Sequence, residues 1–97
     1  MTETGIHPQV IEEICALAER NGLQKVVLFG SRARGDYRAV SDIDLAVQGG
    51  DVACFALDVE EDTSTLLQFD IVDLGGPVQP ALLQAIAEEG RLMYEKI

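Results

Sequence analysis

The amino-acid sequence predicts an α/β (α+β) domain with a small mixed β-sheet flanked by helices. Short apolar segments typical of strands alternate with segments whose apolar residues recur at helical spacing. Glycine or proline bounds most of these segments, and no repeat or low-complexity tract interrupts them. Since 97 residues are close to the commonest domain size, we expect a single domain over residues 1–97.

The first half of the chain predicts one helix and one buried strand. A helix from about Pro8 to Asn21 is indicated by apolar residues on one face, after which Gly22 ends it. The run Lys25–Phe29 is rich in strand formers and stops at Gly30, which predicts a strand buried on both faces. The helical face consists of Val10, Ile11, Ile14, Leu17 and Ala18.

The middle of the chain predicts a strand followed by a helix. Residues 42–47 alternate between polar or small and large apolar side chains, which predicts a half-buried strand. Apolar residues at helical spacing from Val52 to Val59 then predict a short amphipathic helix. We expect its outer face to be acidic, with Asp58, Glu60 and Glu61.

The last third predicts two further strands around a helix. Residues 67–74 form an apolar run that predicts a third strand, closed by two glycines. Residues 80–89 carry apolar residues at helical spacing and predict the last helix, which Gly90 ends. Residues 92–94 predict a brief edge strand.

Composition narrows the classes of function. The 7 basic and 17 acidic residues give a net charge of −10, so the protein repels polyanions and general nucleic-acid binding is disfavoured. No apolar run approaches the roughly 20 residues that a membrane-spanning helix needs, so we expect no membrane association. Cys15 and Cys54 lie on unrelated segments and no signal region is visible, so we expect a cytoplasmic protein with reduced thiols.

Three carboxylates are candidate metal ligands. Asp42 and Asp44 are separated by one residue in an extended segment, so they point the same way at a spacing of roughly 6 to 7 Å. Mg²⁺ is the natural cation for them, because it takes hard oxygen ligands from carboxylates and substrate phosphates. Asp70 interrupts an apolar strand, where a lone buried charge needs a partner, and a bound cation explains it.

Gly30-Ser31 and the arginines that follow indicate a phosphate site. Gly30 lets the backbone approach an anion, and Ser31 offers a hydroxyl and an N–H group. Arg32, Arg34 and Arg38 place three of the seven basic residues within seven positions. Taken singly, each feature also fits a structural role as a turn, a solvated strand edge or an ion pair.

Taken together, these features resemble a known family. LFGSRARG (28–35) and SDIDLAV (41–47), with ten residues between Ser31 and Asp42, resemble the polymerase-beta-like nucleotidyltransferase superfamily. They are most similar to its minimal nucleotidyltransferase (MNT) subfamily, as are residues 69–74 and 86–94. The resemblance runs from Lys25 to Tyr94 and implies the polymerase-beta-like fold.

The resemblance also implies roles for the site residues. Asp42 and Asp44 would bridge two Mg²⁺ ions, and Asp70 would ligate one of them and help to deprotonate the acceptor. These three aspartates would thus be both the catalytic residues and the metal ligands. The nucleotide phosphates would be bound by Gly30, Ser31, Arg32 and Arg34.

The partner and the reaction are likewise implied by the resemblance. MNT proteins are paired with all-helical HEPN toxins, and ATP is the expected donor of AMP to a toxin tyrosine hydroxyl. This chain would then be the antitoxin, and its acidity would steer it to a basic RNA-binding partner. Two alternatives stay open: a non-catalytic nucleotide-binding module that occludes its partner, and a small-molecule nucleotidyltransferase of the aminoglycoside type. A homo-oligomer and a hetero-oligomer are both compatible with the sequence.

Overall fold

The computed structural model describes residues 4–97, which form one four-stranded sheet with helices on both faces. The strands lie in the order β3-β2-β1-β4, and the sheet is mixed as predicted, because β1 pairs antiparallel with β2 and β4 whereas β2 pairs parallel with β3. No helix within the described residues is long and apolar enough to cross a membrane. The elements are α1 (Pro8–Arg20), β1 (Lys25–Phe29), α2 (Ser31–Arg34), β2 (Ile43–Gln48), α3 (Val52–Glu61), β3 (Phe69–Asp73), α4 (Pro80–Glu89) and β4 (Arg91–Glu95).

Two unequal cores hold the helices to the sheet. The larger core joins α1 and α3 to one face, where Ile14, Leu45 and Phe55 are fully buried. The smaller one consists of Val27, Phe29, Ala46 and Ile86, and it joins α4 to the other face. Because α4 covers this second face, β2 is buried on both sides from Leu45 to Val47, and the prediction of a half-buried strand there was wrong.

The element boundaries follow the prediction with small shifts, apart from one helix. The last helix has the predicted bounds, and the edge strand exists and pairs with β1. The second and third strands begin one and two residues later than predicted. The four-residue α2 was not predicted, because one turn of helix carries no apolar periodicity.

Asp58 fastens α3 to α1 rather than facing solvent as predicted. The residue is 9% exposed, and its carboxylate accepts hydrogen bonds from Arg20 (2.8 Å) and from Asn21 Nδ2 (2.9 Å). Hydrogen bonds from Asn21, and the ion pair with Arg20, hold the pKa of Asp58 below its ordinary value. The carboxylate is therefore an internal link between the two helices on the same face of the sheet.

Asp58→Asn tests this link through pH. The ionised carboxylate stabilises the fold above about pH 4, the ordinary aspartate pKa, and this contribution is lost as the pH falls through the lowered pKa. We expect the variant to melt a few degrees below the wild type at pH 7 and the difference to vanish in acid, as measured by thermal unfolding. Asp62→Asn is the control, because Asp62 also pairs with Arg20, at 3.4 Å, but is exposed. Equal losses in both variants would contradict the role of Asp58.

Candidate active site

The carboxyl end of β1 meets the start of β2 at one edge of the sheet. Phe29 is the register partner of Asp44, so Gly30, the next residue, lies against the Asp44 carboxylate. Gly30 has a positive φ of 75°, and a Cβ placed on it would collide with Asp44 Oδ2 and lie 3.1 Å from Asp44 Cγ. Both the backbone conformation and the lack of space require glycine here.

Ser31 begins α2 immediately beside this contact. The carbonyl of Gly30 accepts hydrogen bonds from the backbone N–H groups of Ala33 and Arg34, both at 3.1 Å. The Ser31 carbonyl accepts one from Gly35 N–H at 2.9 Å, and Gly35 ends the turn with a left-handed backbone. The turn is thereby fixed with the half-buried Ser31 at the edge where the carboxylates lie.

Asp44 and Asp70 are neighbours across the parallel strands. They are register partners in the β2–β3 pair, and Asp42 directly precedes β2 at the same edge. Burial raises the pKa of Asp44, and the negative charges of Asp70 and Asp42 raise it further. Since Arg34 is the one group among residues 4–97 that opposes this rise, the charges at this edge favour a cation.

Asp70 is exposed, so the prediction that it is a buried charge was wrong. Its side chain is exposed, because β3 is the outermost strand of the sheet and only partly covered. Asp70 therefore needs no partner to compensate for burial, as the apolar run around it had suggested. What links it to the site is its register with Asp44.

The donor chemistry at this edge fits Mg²⁺, although the protein alone does not complete a site. Within residues 4–97, no group of three or more His, Cys, Asp or Glu side chains is arranged to hold a metal ion. The adjacent carboxylates of Asp44 and Asp70 nevertheless supply hard oxygen atoms, and Mg²⁺ is commonly held by one or two carboxylates with water and substrate phosphates. A metal bound here would thus take some of its ligands from a phosphorylated substrate.

Arg32 was predicted to bind phosphate, but the structure places its side chain in the interior. Its side chain is buried, with 1% of the residue exposed, and its guanidinium donates hydrogen bonds to the carbonyls of four residues. The same group lies over the ring of Tyr37, 4.9 Å from the centroid. Because the guanidinium is buried and its Nε, Nη1 and Nη2 groups already donate to carbonyls, Arg32 is not retained as a phosphate ligand.

Arg34 remains accessible at the site. Its side chain is 43% exposed and forms ion pairs with Asp36 at 3.3 Å and with Glu89 at 3.0 Å. Its charge also acts on Asp44, as the effect on the Asp44 pKa shows. Exposed ion pairs of this kind contribute little stability, so Arg34 can exchange partners with little loss. Glu89 was not predicted, because it lies 55 residues away in sequence and no local pattern marks it.

Asp44→Asn should stabilise the metal-free protein. Because its pKa is raised, ionised Asp44 destabilises the fold; this cost is absent below about pH 4 and complete above the raised pKa. We expect the variant to have a Tm a few degrees above that of the wild type at pH 7 in chelator, with the gain lost in acid. Asp73→Asn, at the opposite end of β3, is the control and should give no gain. A lower Tm for Asp44→Asn at pH 7 would contradict the repulsion.

Comparison with known proteins identifies relatives of this chain. Residues 11–97 match the sequence model of the family described as polymerase beta, nucleotidyltransferase. A protein of Methanocaldococcus jannaschii, named as a "putative protein adenylyltransferase", is 35% identical over 78 residues. That match covers 80% of this chain and 66% of the relative, so the chain spans slightly less than two thirds of the relative's length.

Two solved structures share the fold. A crystal structure of a toxin-antitoxin with AMP-PNP superposes with a TM-score of 0.73 at 26% identity, covering 89% of this chain and 73% of that one. The structure of a "putative minimal nucleotidyltransferase" gives 0.66 at 31% identity, covering 84% and 86%. These matches confirm the fold and the resemblance inferred from the sequence. Since the family model extends over nearly the whole chain, this protein belongs to the polymerase beta nucleotidyltransferase family.

Proposed function

We propose that this protein transfers AMP from ATP, with Mg²⁺, to a tyrosine hydroxyl of a HEPN-family toxin and so acts as its antitoxin. The observation that carries the proposal is the edge where Asp44 lies against Gly30 and is the register partner of Asp70. The adenylyltransferase name of the M. jannaschii relative supports AMP transfer to a protein. The toxin-antitoxin neighbour, which contains the ATP analogue AMP-PNP, supports a toxin as the partner.

The reaction is a displacement at the α phosphorus of ATP. The tyrosine oxygen forms a bond to this phosphorus, the bond to the bridging oxygen of the β phosphate breaks, and pyrophosphate leaves. Asp70 is exposed at the edge of the sheet, where it can receive the phenolic proton. AMP remains on the toxin, where its bulk and charge would inactivate the modified surface.

The remaining site residues bind and orient the nucleotide. Gly30 and Ser31 hold the β and γ phosphates through the backbone of the turn that begins α2 beside Asp44. Arg34 exchanges Asp36 and Glu89 for phosphate oxygens. Asp42 and Asp44 would hold two Mg²⁺ ions, with Asp70 on one of them. When bound, such ions neutralise phosphate charge and stabilise the leaving pyrophosphate.

Asp44→Asn and Asp70→Asn test the proposal. Each removes a ligand and a charge at the reacting edge, so we expect at least a hundredfold slower transfer, comparable with the effect of losing other groups that stabilise the transition state. The purified protein is incubated with α-labelled ATP, Mg²⁺ and host lysate or the purified toxin, and label is followed on protein and on small molecules. Asp73→Asn, on the same strand as Asp70 and near its other end, should transfer at the wild-type rate.

Each other outcome of this experiment contradicts the proposal in a different way. Label on small molecules without a protein acceptor would indicate a small-molecule nucleotidyltransferase. ATP binding without any transfer, together with full protection from the toxin by Asp44→Asn, would indicate inhibition by occlusion. Label on the antitoxin itself would indicate automodification.

Arg34→Gln tests the phosphate contact separately. A charge-assisted hydrogen bond to phosphate contributes about 1.5 to 3 kcal/mol, so we expect KM for ATP to rise roughly 10- to 100-fold. Arg38→Gln is the matched control, since this exposed arginine belongs to the same sequence cluster and only its backbone takes part in described hydrogen bonds. Similar KM values for the two variants would remove Arg34 from the site.

A further inference from the structure

Arg32 is a buried cation whose hydrogen bonds within residues 4–97 all go to backbone carbonyls. Its Nε donates to Ser41 O at 3.0 Å, and Nη1 donates to Thr4 O at 3.0 Å. Its Nη2 donates to Arg38 O at 3.4 Å and to Ala39 O at 3.2 Å. A buried charge persists only when hydrogen bonds compensate for lost hydration, so these carbonyls are held around the guanidinium.

Three of the four carbonyls belong to the segment that leads into the metal-binding aspartates. Residues 38–41 immediately precede Asp42, and the backbone of this segment folds on itself through Ser41. Arg38 N–H donates to Ser41 Oγ at 2.8 Å, and Ser41 N–H donates to Arg38 O at 3.0 Å. Arg32 therefore contacts a compact turn whose next residue is Asp42.

The backbone of Arg32 lies in the turn that we propose to bind phosphate. Arg32 is the second residue of α2 and follows Gly30-Ser31 directly. A single buried side chain thus joins the segment proposed to hold phosphate to the segment that carries Asp42. Tyr37 stacks on the guanidinium and limits its movement out of this position.

We infer that Arg32 is a positioning residue that sets Asp42 relative to Gly30-Ser31, so that one Mg²⁺–nucleotide complex can contact both. The inference rests on the proposed function, which makes Asp42 a metal ligand. Lysine cannot replace the arginine, because a lysine ammonium has three donors at one point and cannot reach carbonyls arranged around a planar fork. Loss of groups that orient metal ligands commonly weakens metal binding 10- to 100-fold.

The test measures metal binding without turnover. Binding of Mn²⁺ in the presence of AMP-PNP is followed by electron paramagnetic resonance for the wild type, Arg32→Lys and Arg32→Met. We expect at least about tenfold weaker Mn²⁺ binding in both variants. Transfer assays on the same proteins should show a raised Mg²⁺ requirement, and guanidinium ion should restore Mn²⁺ binding to Arg32→Ala.

A matched control separates positioning from general loss of stability. Val59→Ala shortens a fully buried side chain of α3 in the larger core, and it should destabilise the protein without changing Mn²⁺ affinity. Mn²⁺ binding by the Arg32 variants at the level of Val59→Ala, with an active wild type, would overturn the inference alone. A wild type that binds no Mn²⁺–AMP-PNP and transfers no AMP would overturn the proposed function as well.

Discussion

The site depends on the close approach of the Gly30 backbone to the Asp44 carboxylate. Antiparallel pairing of β1 with β2 fixes this contact, because Phe29 and Asp44 are register partners. Both strands are central in the sheet and carry most of its buried side chains. The Gly30-Ser31 turn and the Asp44 carboxylate are thus positioned by the two central strands, whose buried side chains give the support that a site of defined geometry needs.

Sequence pattern predicted the strands well and their environments less well. The apolar run of β1 predicted burial on both faces, and the structure agrees. The alternation in β2 was misleading because Ala46, small enough to occupy either environment, packs under α4 in the smaller core. The apolar run around Asp70 predicted a buried strand, whereas β3 lies at the edge. The hydropathy of a strand indicates which side chains can be buried. The position of the strand in the sheet determines which of them are buried.

The two arginines of α2 show why site residues are harder to predict than strands. Successive residues of a helix are about 100° apart, so Arg32 and Arg34 point to nearly opposite sides of the turn. One guanidinium is buried among carbonyls and the other is exposed near Asp44. Composition treats the two as equivalent, and only the packing of α2 against the sheet distinguishes them. The contact of Arg34 with Glu89 of α4, 55 residues away, likewise depends on tertiary packing and not on local sequence.

For the proposed reaction, the charge distribution would make metal and nucleotide binding depend on each other. A polyanionic triphosphate approaching this edge meets the carboxylates of Asp42, Asp44 and Asp70, while Arg34 is already shared between two acidic side chains. In the proposed function, divalent cations would remove this repulsion, so each ligand would favour the binding of the other, as reciprocal linkage requires. The net charge of the whole chain, −10, acts out to about a Debye length, roughly 8 Å at physiological ionic strength. At that range it would attract a basic surface of the proposed acceptor, so the acidity that opposes an approaching triphosphate at short range would favour this encounter.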